Sequence, residues 1–233
     1  MTARVSATQL KMWREQCKML WYLSYVAGKK PPPSLDQDIG SRIHKCLEDY
    51  ITHGVFPDTK TEEGLIASSA LHLIPMERAI QSETHFDDLP IQPSSPMPLT
   101  GIIDVLCLDG VPLVMDFKTT ASKRWMKKSY ELSSDIQLML YAYLALTNAP
   151  LQSECDIALC YIGKKERWAQ VVQTRVTRDQ VVAFFEQALV PAMQEMEIAG
   201  FCEPEEMQRN YDFCSAYGGC ALRDVCEHAG SPC

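Results

Sequence analysis

The feature that most constrains the fold is the stretch of residues 101–119, GIIDVLCLDGVPLVMDFKT, which predicts a β-hairpin. Its two apolar runs are joined at residues 109–110 by Asp-Gly, a dipeptide that favours tight hairpin turns. Each run carries one aspartate, Asp104 or Asp116, and Lys118 follows two residues after the second. Because an uncompensated carboxylate is costly inside an apolar sheet, we expect a compensating charge here, and a divalent metal ion is the usual one.

Length and composition set broad limits on the rest of the chain. With 233 residues and a hydrophobic fraction of 46%, the chain can form one sizeable domain. No apolar run is long enough to span a bilayer, and the N-terminus lacks the features of a signal peptide. We therefore expect a cytoplasmic protein with reduced cysteines. The net charge of −8 argues weakly against a protein that coats nucleic acid, but a local basic groove can coexist with an acidic exterior.

Hydrophobic periodicity predicts a helical N-terminal section followed by a mixed core of strands and helices. Helices are expected over residues 6–27, 35–53, 62–81 (interrupted at Pro75), 131–148 and 178–199, and strands, besides the hairpin, over residues 82–88, 155–163 and 167–176. This order predicts an α/β fold in which helices flank a mixed central β-sheet.

Two helices each carry a pair of residues four positions apart, which places the members of a pair on one helix face. Gly40 and His44 form the first pair, and Gln137 and Tyr141 form the second. A small residue at position 40 allows another backbone to approach beside the imidazole. On this helix alone, a half-buried structural histidine is the more common interpretation of His44.

A basic and aromatic segment follows the hairpin directly. Cations that bind phosphates, interleaved with rings that stack on bases, are typical of a surface that binds single-stranded nucleic acid. A solvated basic loop is an equally good interpretation of the composition. The residues concerned are Lys123, Arg124, Trp125, Lys127, Lys128 and Tyr130.

The order and spacing of these features resemble the RecB-like branch of the PD-(D/E)XK nuclease superfamily, whose CRISPR-associated, AddB-type and phage-encoded members share this layout. An Asp-x-Lys motif alone is weak, whereas the ordered set is much more specific. The resemblance covers about residues 9–228 and implies a restriction-endonuclease-like core. The matching positions are Gly40-x3-His44, Gly101-x2-Asp104, Asp116-Phe117-Lys118 and Gln137-x3-Tyr141.

The resemblance implies a centre for Mg²⁺ or Mn²⁺. Asp104 and Asp116 would supply oxygen ligands, His44 a nitrogen ligand, and the main-chain carbonyl of Phe117 a further oxygen. Lys118 would orient or deprotonate the attacking water and offset phosphate charge.

Three more residues have roles that only the resemblance suggests. Gln137 and Tyr141 would contact either the DNA backbone or Lys118. Glu83, on the strand before the hairpin, would contact a ligand of the metal or would be an outer contact of the metal itself.

A second candidate site lies among the ten cysteines. Cys107, Cys155 and Cys160 lie in apolar runs and are expected in the core. The pattern Cys214-x5-Cys220-x5-Cys226 near the C-terminus instead indicates metal binding, and a tetrahedral site requires a fourth ligand.

Relatives that carry an iron–sulfur cluster place one cysteine before the nuclease core and three after it, and Cys17 fits the first position. The resemblance therefore implies a 4Fe–4S cluster on Cys17, Cys214, Cys220 and Cys226. The spacing departs from the tighter Cys-x2-Cys step of many relatives, so Zn²⁺, or Cys233 or His228 in place of one ligand, stays open as an alternative.

The expected organisation is a single domain, with a nuclease core over about residues 35–200 and an iron–sulfur segment formed by about 9–27 plus 201–233. The expected function is metal-dependent DNA hydrolysis in a bacterial, archaeal or phage-infected cell. Exonuclease action on single-stranded or end-containing DNA is preferred, in recombination, repair or DNA processing. The alternative is a non-catalytic DNA-binding or assembly module of a recombination or CRISPR adaptation complex.

Partners other than DNA follow from what the sequence lacks. It contains no Gly-x4-Gly-Lys-[Ser/Thr] motif, so any unwinding would need a helicase or recombination partner. Ring-forming relatives suggest a homo-oligomer, although no interface signal is evident in the sequence.

Overall fold

The computed structural model describes residues 4–30, 35–215 and 219–228; the side chains of residues 35, 36, 227 and 228 are outside the description. No helix within these ranges is long and apolar enough to cross a membrane.

The chain divides into two units. The terminal unit comprises residues 1–32, 94–100 and 186–233. The sheet unit comprises residues 33–93 and 101–185. Each is described separately below.

The sheet unit contains five strands in the spatial order β1-β2-β3-β4-β5. Strands β3 and β4 are parallel and the other neighbours are antiparallel, so the expected mixed sheet is confirmed. Gly110 adopts a φ of 72° in the turn between β2 and β3, a conformation that favours glycine. The strands are β1 (Ile80–His85), β2 (Ile102–Cys107), β3 (Leu113–Thr120), β4 (Glu154–Gly163) and β5 (Ala169–Thr177).

Helices precede, connect and follow the strands, as the hydrophobic periodicity predicts. The terminal unit holds α1 (Ala7–Lys11), α2 (Lys18–Tyr25), α7 (Val190–Ala199), α8 (Tyr211–Cys214) and α9 (Arg223–His228), and the sheet unit holds α3 (Leu35–His53), α4 (Glu62–Ser68), α5 (Ile136–Asn148) and α6 (Arg178–Phe184). A π-helical turn over Phe185–Leu189 lies between α6 and α7 in the chain.

The two faces of the sheet pack against different helices. Met115 and Phe117 of β3 join one buried cluster with Ile43 and Leu47 of α3. Because side chains alternate along a strand, Asp116 points to the opposite face, where α5 packs on β3 and β4. This alternation brings one carboxylate of the hairpin under α5.

Helix α3 approaches the end of β3 closely at Gly40. A β-carbon at this position would lie 3.1 Å from Thr119 Oγ1, so the absence of a side chain allows the approach. The same helix carries His44 one turn later. Gly40 therefore helps to bring the imidazole to the level of the hairpin.

Four predicted helices differ from the observed ones, and the one expected over 178–199 is divided by the π-helical turn at Phe185–Leu189. The helix expected over 6–27 is broken at Cys17, which is extended (φ −149°, ψ 124°) and whose sulfur accepts a hydrogen bond from Asn210 N (3.4 Å). The helix expected over 131–148 begins only at Ile136, because the Asp135 side chain caps it there.

The helix expected over 62–81 is the fourth. It ends at Ser68, a single 3₁₀ turn follows over Leu71–Leu73, and β1 already begins at Ile80. The hydroxyls of Ser68 and Ser69 bond back to main-chain carbonyls of the preceding turn. Such local bonds compete with helix continuation.

Candidate active site

Three carboxylates lie at one level of three neighbouring strands. The last paired residues of β2 and β3 are Val105 and Met115. Beside this pair lie two buried aspartates, Asp104 on β2 and Asp116 on β3. On β1, Glu83 lies between Ser82 and Thr84, whose partners Val105 and Ile103 flank Asp104. Glu83 has a φ of 48°, a strained conformation of the kind found at functional sites.

A hydrogen-bonded chain links Asp116 to helix α5. Gln137 Nε2 donates to Asp116 Oδ1 (2.7 Å) and also to the Tyr141 hydroxyl (2.8 Å), while Gln137 Oε1 accepts from Lys118 Nζ (2.8 Å). Lys118 Nζ also lies 2.6 Å from Asp116 Oδ2. The Tyr141 hydroxyl donates to the Ile102 carbonyl (2.8 Å). These bonds fix the amide orientation of Gln137, because both ends of its side chain are engaged.

Asp104 of β2 contacts residues of β3 and of helix α3. Its Oδ2 accepts a hydrogen bond from Phe117 N (2.6 Å) and lies 3.6 Å from His44 Nδ1. The imidazole meets the Phe117 ring edge to face, with the centroids 5.9 Å apart. The structure thus brings His44 to Asp104, and Lys118, Gln137 and Tyr141 to Asp116.

Burial and charge act together on the acidic groups. Burial raises the pKa of Asp116 to about 6, Lys118 opposes this shift and Asp104 adds to it. The pKa of Glu83 is likewise raised by burial and then by Asp104. These shifts reflect the cost of placing several carboxylates close together away from water.

Burial has the opposite effect on the basic groups and lowers their pKa values, whereas the nearby carboxylates raise them. Burial lowers the pKa of Lys118, but the charge and hydrogen bond of Asp116 outweigh it and the net shift is upward. The pKa of His44 is also lowered by burial and raised more strongly by its contact with Asp104. Burial raises the pKa of Tyr141, so its hydroxyl is a neutral hydrogen-bonding group.

The donor chemistry at this site fits a hard divalent cation, which prefers oxygen ligands with some imidazole. Asp116 Oδ2 is buried and makes no hydrogen bond of acceptable geometry, although Lys118 Nζ is close. Within the described ranges, no three His, Cys, Asp or Glu side chains converge tightly enough to hold one metal ion. The Asp116 carboxylate is instead oriented toward Lys118 and Gln137.

The basic and aromatic segment follows β3 as two 3₁₀ turns, Lys123–Trp125 and Ser129–Ser134. Trp125 and Tyr130 are exposed by 57% and 69%, so both rings are accessible. The Arg124 guanidinium lies 4.6 Å from the Trp125 ring centroid, and Lys128 Nζ lies 5.8 Å from that of Tyr130.

Lys127 differs from its neighbours, because Nζ donates to Asp135 Oδ2 (2.5 Å). The other oxygen of Asp135 accepts from the backbone N–H groups of Gln137 and Leu138. Asp135 therefore both caps α5 and joins the basic segment to the helix that carries Gln137. Sequence reasoning missed this residue, although an aspartate directly before an apolar helical run is a recognised capping signal.

The four cysteines expected to bind a cluster all belong to the terminal unit and line one cavity of about 10 Å³. Apolar side chains complete its lining, among them Leu20, Leu23 and Phe213. The cysteines concerned are Cys17, Cys214, Cys220 and Cys226.

Two of these thiols form hydrogen bonds with the main chain of Asn210. Asn210 N donates to Cys17 Sγ (3.4 Å), and Cys214 Sγ donates to Asn210 O (3.7 Å). The nine cysteines at described positions form no disulfide. Thiols are the donor type of a 4Fe–4S cluster or of Zn²⁺, but among the described residues no three of these sulfurs converge closely enough to hold one metal ion. The alternative ligand Cys233 lies outside the described residues, as does the side chain of His228.

Comparison with known proteins places these features in a family. Twelve solved chains match the structure, among them the following two. The crystal structure of SSO0001 has a TM-score of 0.49 and 11% identity and covers 96% of this chain and 85% of that chain. The crystal structure of an alkaline exonuclease (LHK-Exo) from Laribacter hongkongensis has a TM-score of 0.45 and 13% identity, with 84% and 89% covered. Neither likeness is close enough to carry a functional assignment.

No curated protein matches the sequence. The family model described as "PD-(D/E)XK nuclease superfamily" matches residues 4–73 and 67–227, two overlapping segments that together cover nearly the whole chain. On this match, the chain belongs to the PD-(D/E)XK nuclease superfamily.

Proposed function

We propose that the chain is a metal-dependent deoxyribonuclease that hydrolyses phosphodiester bonds of single-stranded or end-containing DNA. The observation that carries the proposal is the contact of Lys118 with both Asp116 and Gln137. A lysine held beside a buried carboxylate provides a fixed cation next to a candidate metal ligand, which is an arrangement suited to phosphoryl chemistry.

Asp104, Asp116, His44 and the Phe117 carbonyl would hold the Mg²⁺ or Mn²⁺ ion. When bound, the ion supplies a water of lowered pKa and neutralises charge on the scissile phosphate. The strained backbone of Glu83 directs a third carboxylate to the same level of the sheet, and this supports an outer contact of Glu83 with the metal or its waters.

Lys118 would act on the water and the phosphate. An ammonium group has three N–H donors. Gln137 accepts from one of them, and Asp116 Oδ2 lies 2.6 Å away as an ion-pair partner. The ammonium can still donate to a water or to a phosphate oxygen. Lys118 therefore orients the nucleophile and offsets the negative charge that develops on the phosphate.

Gln137 and Tyr141 would position the lysine. Tyr141 is anchored on the Ile102 carbonyl and accepts from Gln137, and Gln137 in turn accepts from Lys118. In this role the two residues act through Lys118 and Asp116, and contact with the DNA backbone is secondary.

The segment after β3 would bind the DNA strand. Arg124 and Lys128 each lie beside an exposed ring, which supports combined binding of phosphates and bases, and Lys123 adds a third cation. Lys127 would contribute through its ion pair with Asp135 and by adding positive charge near the strand.

The chain would act from DNA ends as an exonuclease, with a helicase or recombination partner supplying any unwinding. A direct test compares linear and covalently circular single-stranded DNA, each with Mg²⁺ or Mn²⁺. We expect nucleotides to be released from the linear substrate while the circle stays intact. Cleavage of the circle at a similar rate would establish an endonuclease instead.

The second candidate function is a non-catalytic DNA-binding or assembly module. The absence of three convergent metal ligands in the described part of the chain favours this reading. One assay distinguishes the two functions, because a non-catalytic module would bind labelled single-stranded DNA but would not cleave it with any metal ion.

The four cysteines Cys17, Cys214, Cys220 and Cys226 would hold a structural 4Fe–4S cluster in the terminal unit. Their placement around one cavity supports a shared metal centre. Zn²⁺ is the alternative, because thiolate sulfurs are also typical ligands of a structural zinc ion.

Metal analysis and visible absorption of the purified protein distinguish the two centres. We expect a brown protein that contains iron, and a colourless and less stable protein for Cys220→Ala. A Cys220→Ala variant with full colour and iron content would remove Cys220 from the ligand set. A colourless wild type that contains zinc would establish the alternative.

A further inference from the structure

The turn between β4 and β5 places an indole against the end of the sheet. Gly163 N donates to the Trp168 carbonyl (2.8 Å), and a β-carbon on Gly163 would lie 2.4 Å from Trp168 Nε1. The missing side chain of Gly163 thus lets the ring lie directly on the strand. The preceding residue, Arg167, has a φ of 51°, so the turn is held in a strained conformation that returns Trp168 over the strand end.

This turn is attached to the strand that carries Lys118. Lys164 N donates to the Thr120 carbonyl (2.9 Å), and Thr120 pairs with Gly163 at the ends of β3 and β4. Thr120 is two residues beyond Lys118, which corresponds to about 7 Å along a strand. The turn therefore lies near the candidate active site.

The indole also completes a group of cation–aromatic pairs. Lys123 Nζ lies 4.9 Å from the Trp168 ring centroid, beside the Arg124–Trp125 and Lys128–Tyr130 pairs. The three pairs therefore involve cations from one short segment, residues 123–128. Lys123 is exposed, and its ammonium can leave the ring without breaking a buried contact.

We propose that Trp168 is a base-stacking residue for single-stranded DNA and that Lys123 covers its ring until the strand binds. This inference rests on the proposed function, since it takes DNA as the ligand. On binding, a base replaces the Lys123 ammonium on the ring and the ammonium moves to a phosphate. The exchange is favourable because base stacking on an aromatic ring is stronger than an exposed cation–aromatic pair.

The occupant is a single strand, because a base must leave the duplex stack before its face can meet a protein ring. Trp168 and the exposed Trp125 then bind bases, while Lys123 and Arg124 bind the backbone between them. The β4–β5 turn therefore extends the strand-binding surface beyond the segment that follows β3.

The test measures DNA affinity in an Asp116→Asn background, so that binding is observed without cleavage. Trp168→Leu should weaken binding of a fluorescein-labelled single-stranded oligonucleotide by about 10-fold or more. Binding of a blunt duplex should change by less than about 2-fold. Trp168→Phe should restore most of the single-strand affinity. Phe56→Leu, which changes another exposed aromatic residue of the sheet unit, should leave both affinities unchanged.

A second variant tests the exchange without disturbing the packing on Gly163. Lys123→Ala should reduce the slope of log affinity against log salt by about 0.7 for single-stranded DNA, the value for one phosphate contact. An unchanged slope would overturn the role of Lys123.

For Trp168, unchanged single-strand affinity in Trp168→Leu would overturn the proposal. Equal losses for single strand and duplex would also overturn it, because the ring would then be structural. Failure of the proposed function gives a separate result: the wild type cleaves no DNA, whatever the affinities of these variants.

Discussion

Gln137 donates a hydrogen bond to Asp116 across 2.7 Å, and this bond joins helix α5 to the β2–β3 hairpin. The same amide accepts from Lys118 and donates to Tyr141. The site is therefore built from two layers, with strand residues that carry charge and helix residues that fix their geometry.

Removing the amide should misplace Lys118 and Asp116. We expect Gln137→Ala to lower kcat by about 100-fold, the cost typical of a displacement of about 1 Å at a reacting group, with little change in DNA affinity. Single-turnover cleavage measures the first quantity and fluorescence anisotropy the second. Tyr141→Phe is the matched control: it leaves the amide in place and should cost much less. Equal losses in both variants would mean that the network acts only through folding.

Asp135 should stabilise the fold through two separable contacts. Asp135→Ala removes the cap of α5 and should lower the free energy of unfolding by about 1–2 kcal/mol, with a further cost from losing the ion pair with Lys127. Asp135→Asn keeps a side-chain oxygen for the cap and loses only the charge, so it should cost less. Urea denaturation measures both. The interpretation fails if the asparagine variant is as unstable as the alanine variant.

Gly40 tests the close approach of α3 to β3. Alanine favours a helix by about 1 kcal/mol over glycine, but here its β-carbon would meet Thr119 Oγ1 at 3.1 Å. We expect Gly40→Ala to destabilise the wild type and to stabilise the Thr119→Ala variant by about 0.5–1 kcal/mol. A double-mutant cycle from thermal unfolding gives both values. Stabilisation in both backgrounds would show that the contact is loose.

The buried thiols of the sheet should be chemically inert. Burial raises the pKa of Cys107 to about 11 and that of Cys155 and Cys160 to about 12. A raised pKa keeps a thiol protonated, so very little reactive thiolate is present at pH 8. Iodoacetamide followed by mass spectrometry should label half-buried Cys202 in the native protein, and these three only after denaturation. Labelling of Cys160 in the native protein would contradict the buried environment.

The sheet could be predicted because its signals are local. Alternating apolar residues, the Asp-Gly turn at residues 109–110 and the long apolar helix before β4 lie within short windows of sequence, and they predict the strands and a mixed sheet. The contacts of Lys118 with Asp116 and Gln137 follow from the same logic, since strand alternation and helix spacing decide which side chains face each other.

Other features depend on partners far away in sequence. The break at Cys17 is accompanied by a contact with Asn210, 193 residues later, and no pattern near Cys17 indicates it. Trp168 was expected inside a strand, whereas it belongs to the turn and meets Lys123. The ion pair of Lys127 with Asp135 likewise distinguishes one lysine from its neighbours, which composition cannot do.

The central claim is that Asp116 belongs to a metal-dependent hydrolytic site. The most direct measurement is the cleavage rate of end-labelled single-stranded DNA by the wild type and by Asp116→Ala, each with Mg²⁺, with Mn²⁺ and with a chelator. We expect cleavage by the wild type only when metal is present, and a loss of at least about 1,000-fold in the variant. Equal rates for the two proteins, or no cleavage by the wild type in either metal, would contradict the account.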